Sequence, residues 1–159
     1  MKMDKTFHYT KDSMVKELMP LIPFKESDTV LDAGSGKNKV FFKNIPSFCK
    51  AYEVELDDGK DFLKQTKSYD WIIGNPPYHI GKDFLTKAME TANKGIAFLI
   101  NLNCLNSFLL PSRLKKLTEK GFYLQSIHVT QDKRWFGRYF FVIFSKAKNS
   151  FLTFSDKVF

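Results

Sequence analysis

The chain has 159 residues, enough for one domain with its own core and too few for a catalytic domain joined to a separate recognition domain. Hydrophobic residues at 43% and charged residues at 26% are ordinary for a globular protein, whereas a net charge of +8 points to an anionic partner. No apolar stretch reaches membrane-spanning length and "MKMDKTFHYT" lacks the apolar core of a signal peptide, so the expectation is a soluble, intracellular protein without membrane contact.

In chain order, Met14, Val15, Leu18 and Met19 share a helical face. "TVLD" (29–32) and "AYEVE" (51–55) read as strands, "DFL" (61–63) is a candidate short strand, and "YDWIIGN" (69–75) is the next. Phe84, Leu85, Ala88, Met89 and Ala92 form a second helical face, with Asn93-Lys94-Gly95 as its stop. "GIAFLIN" (95–101) is a strand, and a third helix carries Leu114 and Leu117, with Pro111 in its first turn and Gly121 past its end. "FYLQSIHVT" (122–130) and "RYFFVIFSK" (138–146) are two final strands joined by a short loop. Three of these strands are nearly continuous apolar runs, as expected where both faces are covered. The alternation therefore predicts an α/β sheet, mostly parallel, that closes with an antiparallel hairpin.

The charge is uneven. Between Pro111 and Lys148, Arg113, Lys115, Lys116, Lys120, Lys133, Arg134, Arg138, Lys146 and Lys148 face only Glu119 and Asp132, while Glu53, Glu55, Asp57, Asp58 and Asp61 form an acidic cluster. A polyanion would be drawn to the first region and repelled by the second, although a solubilising lysine-rich surface has the same composition. Cys49 and Cys104 are isolated, which argues against a disulfide and for a reducing compartment. His8, His79 and His128 lack metal-ligand spacing, so no metal is expected.

"VLDAGSGKN" (30–38) is a strand running into a glycine-rich turn. Gly34 and Gly36 let the backbone approach a ligand, and Asn38, where a third glycine often stands, tolerates positive φ. Such a turn occurs in nucleoside-cofactor sites and also in ordinary tight turns. Glu53, about twenty residues on, is placed to accept both ribose hydroxyls of a nucleoside; the alternative is that Glu53 and Glu55 are simply exposed strand carboxylates. Asn75-Pro76-Pro77-Tyr78 ends a buried strand, at the carboxyl edge where open α/β sheets bind ligands.

"VLDAGSG" followed by "NPPY" resembles the S-adenosylmethionine-dependent amino-methyltransferases, most closely the adenine-N6 DNA methyltransferases, over residues 7 to 146. The resemblance implies a Rossmann-like class I methyltransferase fold, with a mostly parallel seven-stranded sheet and a C-terminal antiparallel hairpin. It implies S-adenosylmethionine as cofactor and adenine in nucleic acid as substrate, DNA ahead of RNA. The lone pair of adenine's exocyclic amine is delocalised into the ring. Acceptors at the Asn75 side chain and the Pro76 carbonyl, held rigid by Pro76 and Pro77, would turn that lone pair toward the methyl donor. Tyr78 would stack on the flipped or unpaired base.

By the same resemblance, Phe7, Tyr9 and Thr10 touch the methionine end of the cofactor, with Thr10 at its carboxylate. Asp32, Ala33, Gly34, Gly36 and Asn75 line the cofactor, Glu53 holds the ribose, Val54 flanks the adenine ring and Asp61 accepts from its amino group. In "KRWFGR" (133–138), Trp135 or Phe136 would pack against the target base, or else serve as hairpin packing; Arg134 and Arg138 favour phosphate contact.

Two departures stand out. Only "LDDGK" separates the second strand from Asp61, so a helix usual in the family is missing, and the chain reads as a single catalytic domain over 1–159 without a target-recognition domain. A protein partner could supply recognition. Two other readings remain: methylation of guanine N2 in RNA or of a glutamine N5 amide in protein, and a non-catalytic methyltransferase-like nucleic-acid-binding subunit. The expected compartment is the cytoplasm, or the nucleus in a eukaryote.

Overall fold

The computed structural model describes residues 9–134 and 136–148. Its centre is a six-stranded sheet of β1 (Thr29–Ala33), β2 (Lys50–Val54), β3 (Tyr69–Gly74), β4 (Ala92–Asn101), β5 (Tyr123–Thr130) and β6 (Tyr139–Ser145), in the order β2-β1-β3-β4-β6-β5. The first four strands in that order are mutually parallel. β6 runs antiparallel to both β4 and β5, so the closing hairpin places its second strand inside the sheet. Five helices accompany the sheet among the described residues: α1 (Asp12–Leu18), α2 (Val40–Lys43), α3 (Gly81–Thr91), α4 (Leu102–Phe108) and α5 (Pro111–Glu119).

The pleat sorts side chains by parity onto two cores. Val30, Trp71, Ile73, Leu99, Phe141 and Ile143 face α1 and α2, where Val15, Leu18 and Phe41 meet them. Leu31, Ile72, Ile96, Phe98, Val142 and Phe144 face Phe84 and Leu85 of α3, Phe108 of α4, and Leu114 and Leu117 of α5. The apolar runs of β3, β4 and β6 are thus the strands covered on both sides, as their composition requires.

The sheet has six strands rather than the expected seven. "DFL" forms a 3-10 turn at Phe62–Lys64, because the Asp61 carboxylate caps it by accepting from the Leu63 N–H at 2.9 Å, and Phe62 then drops into the core. β2 is therefore an open edge with Lys50, Ala51 and Tyr52 exposed. Between β2 and β3 the chain makes only this turn and another at Leu56–Asp58, so the helix expected to be missing there is indeed absent.

The second helix also stops earlier than expected. α3 ends at Thr91, and Ala92 already pairs with Tyr69 of β3, so Asn93 and Lys94 belong to a strand and not to a helix stop. Tertiary pairing overrides the local stop signal, and Lys94 is used at 2.5 Å from Asp28. α2 and α4 escaped the sequence patterns. Four residues are too few to show a period, and α4 follows its strand without a break, started by the Asn101 side chain accepting from the Cys104 N–H at 2.9 Å.

No helix among the described residues is long and apolar enough to cross a membrane. Among the same residues no group of three or more His, Cys, Asp or Glu side chains could hold a metal ion.

Candidate functional site

The carboxyl ends of β1, β2 and β3 open into a cavity of about 890 Å³, large enough for a nucleoside-sized ligand together with part of a second molecule. Three segments distant in sequence wall it: the glycine-rich turn, the loop after β2, and Asn75-Pro76-Pro77-Tyr78.

In the turn, Gly34 and Gly36 adopt φ of +73° and +65°. The left-handed residue beyond them is Lys39 at φ 49°, not Asn38 as expected. A non-glycine residue there is strained by roughly 1 kcal/mol. The Lys39 ammonium offsets the strain with ion pairs to Glu53 at 3.0 Å and Asp58 at 3.6 Å, while its carbonyl accepts from Lys43 in the first turn of α2.

The two strand carboxylates separate by role. Glu53 lies opposite Asp32 in the β1–β2 register, so its side chain leaves the sheet on the side of the glycine turn, where Ser35 donates to it at 2.9 Å and Lys39 and Lys60 pair with it. Burial opposes its ionisation, but the Lys39 and Ser35 hydrogen bonds outweigh this and hold the carboxyl below its ordinary range. Glu53 does not line the cavity; Glu55, just past the strand, does, and its Oε2 accepts from the Gly36 N–H at 2.5 Å. The signal for Glu55 was available in its position at the strand end, where a side chain clears the neighbouring strand.

Asp32 and Ala33 are fully buried beneath the cavity rather than on its wall. One Asp32 oxygen accepts from the Phe42 N–H at 2.9 Å, and Oδ1 has no partner. Burial, with Glu53 and Glu55 adding to it, pushes this carboxyl up to about 7. Gly74 is the residue that lets β3 pass so close: at φ +142°, a Cβ there would stand 2.9 Å from the Ala33 carbonyl and 3.0 Å from Asp32 Oδ1.

Asn75 follows directly. Its Nδ2 donates to Thr10 Oγ1 at 3.0 Å, which leaves Oδ1 as the acceptor of the amide. Pro76 is buried and Pro77 exposed, and the Pro77 carbonyl accepts from Ile80 in the 3-10 turn Tyr78–Ile80. Burial pushes the Tyr78 phenol well above its ordinary value, so the ring is a neutral stacking surface. Tyr139, the first residue of β6, stands opposite with its ring centre 6.5 Å away and planes 36° apart.

The structure brings Tyr9, Thr10, Gly34, Gly36, Val54, Asp61, Asn75, Pro76, Pro77, Tyr78 and Arg134 onto one cavity. Phe136 is fully exposed, and neither it nor the exposed Arg138 reaches the wall. The aromatic that faces Tyr78 is instead Tyr139, hidden from sequence reasoning because it reads as part of an apolar strand. Arg134 is paired with Asp132, although its side chain remains exposed. Phe7 and Trp135 lie outside the described residues.

No protein-family model matches the chain, and no curated protein does. Solved structures do match. TrmN from Thermus thermophilus superposes with a TM-score of 0.62 at 18% identity, covering 87% of this chain and 49% of its own. A dimethyladenosine transferase from Plasmodium falciparum gives 0.66 at 16% identity, over 92% of this chain and 65% of that one. The chain has the Rossmann-like fold of the methyltransferases. A magnesium protoporphyrin IX methyltransferase from Synechocystis PCC 6803, with S-adenosylmethionine bound, gives 0.56 at 12% identity over 86% and 77%. The chain spans about half the length of TrmN. Within the methyltransferase fold, the cavity lies over the carboxyl ends of the strands.

Proposed function

We propose that this chain is an S-adenosylmethionine-dependent methyltransferase that modifies the exocyclic N6 amine of adenine in nucleic acid, with DNA favoured over RNA. The observation that carries the reading is that the glycine-rich turn and Asn75-Pro76-Pro77-Tyr78, forty residues apart, wall the same cavity. The donor set fits the cofactor: a carboxylate at Glu55 for a ribose diol, Asp61 for an adenine amino group, Val54 against the ring, and Tyr9 and Thr10 toward the methionine end. Glu55, rather than Glu53, is assigned the ribose because its carboxylate is on the wall.

S-adenosylmethionine supplies an electrophilic methyl group. The residues of this chain do the positioning. Asn75 Oδ1 and the Pro76 carbonyl accept the two amine hydrogens of the target, so that its lone pair faces the methyl donor, and the rigid prolines hold both acceptors in place. Tyr78 and Tyr139 would form the walls of a slot for the target base, and as the new carbon–nitrogen bond replaced the carbon–sulfur bond the amine would become acidic and lose its proton to water, so no prior deprotonation is needed. Recognition of the target site by a protein partner belongs to the same proposal.

Transfer of labelled methyl from S-adenosylmethionine to matched single-stranded and duplex DNA and RNA, read by nucleoside mass spectrometry, tests it. The expected product is N6-methyldeoxyadenosine, with N6-methyladenosine if RNA is the polymer. Asn75→Ala should cut transfer by about 10²–10³-fold while cofactor affinity changes less than about threefold. Methylguanosine would transfer the assignment to guanine N2, cofactor binding without transfer to any polymer would point to a missing partner, and no cofactor binding would remove the enzymatic reading.

A further inference from the structure

The segment over the cofactor end of the cavity has little local support. Tyr9 and Thr10 lie outside regular structure, α1 behind them has seven residues, and its N-cap Lys11 makes no side-chain capping bond. So short a helix is marginal without tertiary contacts. Besides the core contacts of Val15 and Leu18, residues 9 and 10 are held by long-range bonds, Thr10 from 65 residues away and Tyr9 from 125.

Asp132, in the loop between β5 and β6, is 5% exposed, and a buried carboxylate is costly unless partnered. It is fully partnered: Arg134 Nε donates to both of its oxygens at 3.0 Å, Nη2 donates to Oδ2 at 2.5 Å, the Arg134 N–H donates to Oδ1 at 3.0 Å, and Lys11 Nζ lies 3.5 Å from Oδ1. The guanidinium is thus fixed as a planar fork. Its Nη2 also donates to the Tyr9 carbonyl at 2.9 Å. One residue on, Thr10 Oγ1 accepts from Asn75 Nδ2.

We propose that Asp132 and Arg134 form a clasp that fastens residues 9–11 across the cavity and, through Thr10, sets the amide of Asn75. Arg134 is then a positioning residue and not a phosphate contact. The clasp ties the loop beside the target-base slot to the cofactor end of the site, so that loosening either disturbs the other. This inference rests on the methyltransferase reading for its catalytic consequence, but the clasp itself is testable without it.

The test combines amide hydrogen exchange on the ligand-free protein with cofactor titration and nucleic-acid binding as a function of salt, for Arg134→Gln, Arg134→Lys and Asp132→Asn. All three variants should speed exchange across residues 9–16 by about tenfold or more, with the core of β4 unchanged. Lysine should fail like glutamine because it carries charge without the fork. S-adenosylmethionine should bind about tenfold more weakly, with nucleic-acid affinity and its salt slope retained. Unchanged exchange at 9–16 would overturn the clasp. So would a salt slope reduced by about one in Arg134→Gln and restored in Arg134→Lys, which is the signature of a phosphate contact. An unmodified protein that binds no S-adenosylmethionine would sink the proposed function, while the exchange comparison would still decide the clasp.

Discussion

Asp32 in β1 and Glu55 just past β2 show how neighbouring strand ends divide labour between a buried carboxylate and a half-buried one on the cavity wall. Asp32 is pushed up to about 7 against an ordinary 3.8, chiefly by burial. A raised value means the folded state holds the proton more tightly than the unfolded chain, so the group's favourable contribution is complete below pH 4 and is lost as pH rises toward 7. Asp32→Asn removes that titration and keeps an acceptor for the Phe42 N–H. In denaturant titrations its advantage in unfolding free energy should grow from near zero at pH 4 to at most about 4 kcal/mol above pH 7. Equal pH dependence in both proteins would show that Asp32 is not protonated in the fold. For Glu55, calorimetry with S-adenosylmethionine is the measure: Glu55→Gln should weaken binding about tenfold, and Glu53→Gln less than about threefold. The reverse order would return the ribose to Glu53.

Among the elements, β3 and β4 fit closely where Trp71 crosses Gly95. Trp71 lies directly over Gly95, its partner in register, and a Cβ on Gly95 would stand 2.2 Å from the indole. The ring has nowhere to go: Nε1 donates to buried Asp28 at 3.2 Å, and Phe24 packs edge-on at 5.8 Å. Asp28 in turn accepts from Lys25 and Lys94, which joins the chain before β1 to the start of β4. Gly95→Ala should therefore destabilise the fold by about 1–3 kcal/mol, seen as a lower denaturant midpoint with unchanged m-value. Restored stability in the double variant Gly95→Ala with Trp71→Leu would locate the cost in that contact. Because β3 leads into Asn75, this packing also fixes the strand that delivers the motif.

At the scale of the molecule, charge and topology bear on the nucleic-acid proposal. The net charge of +8 favours a polyanion, yet the cofactor end of the cavity carries Glu55 and Asp61, so the polymer should approach from the side of the loop after β5. Lys133 and Arg138 are exposed in that loop, outside the Asp132–Arg134 pair. Replacing both with glutamine should weaken binding to all sequences alike and lower the slope of log affinity against log salt by about two, with cofactor affinity unchanged. A slope equal to the parent's would place the polymer on another face.

Much of this was legible in the sequence, wherever the signal is local. Strand composition, the alternation with amphipathic helices, the glycine turn and Asn75-Pro76-Pro77-Tyr78 depend on neighbours within a few residues; the six main strands, α1, α3, α5 and the motif lie where pattern and turn chemistry put them, whereas "DFL" is not a strand and the left-handed turn residue is Lys39. Six strands instead of seven, the early end of α3, the choice of Glu55 over Glu53 on the wall, the pairing of Tyr139 with Tyr78 and the commitment of Arg134 to Asp132 are different. Each turns on which side chains a distant segment brings opposite: strand register decides which way a carboxylate faces, and a buried charge takes the nearest partner with the right geometry. Local chemistry wrote the elements and the motif, and tertiary contact alone decided which residues share the cavity.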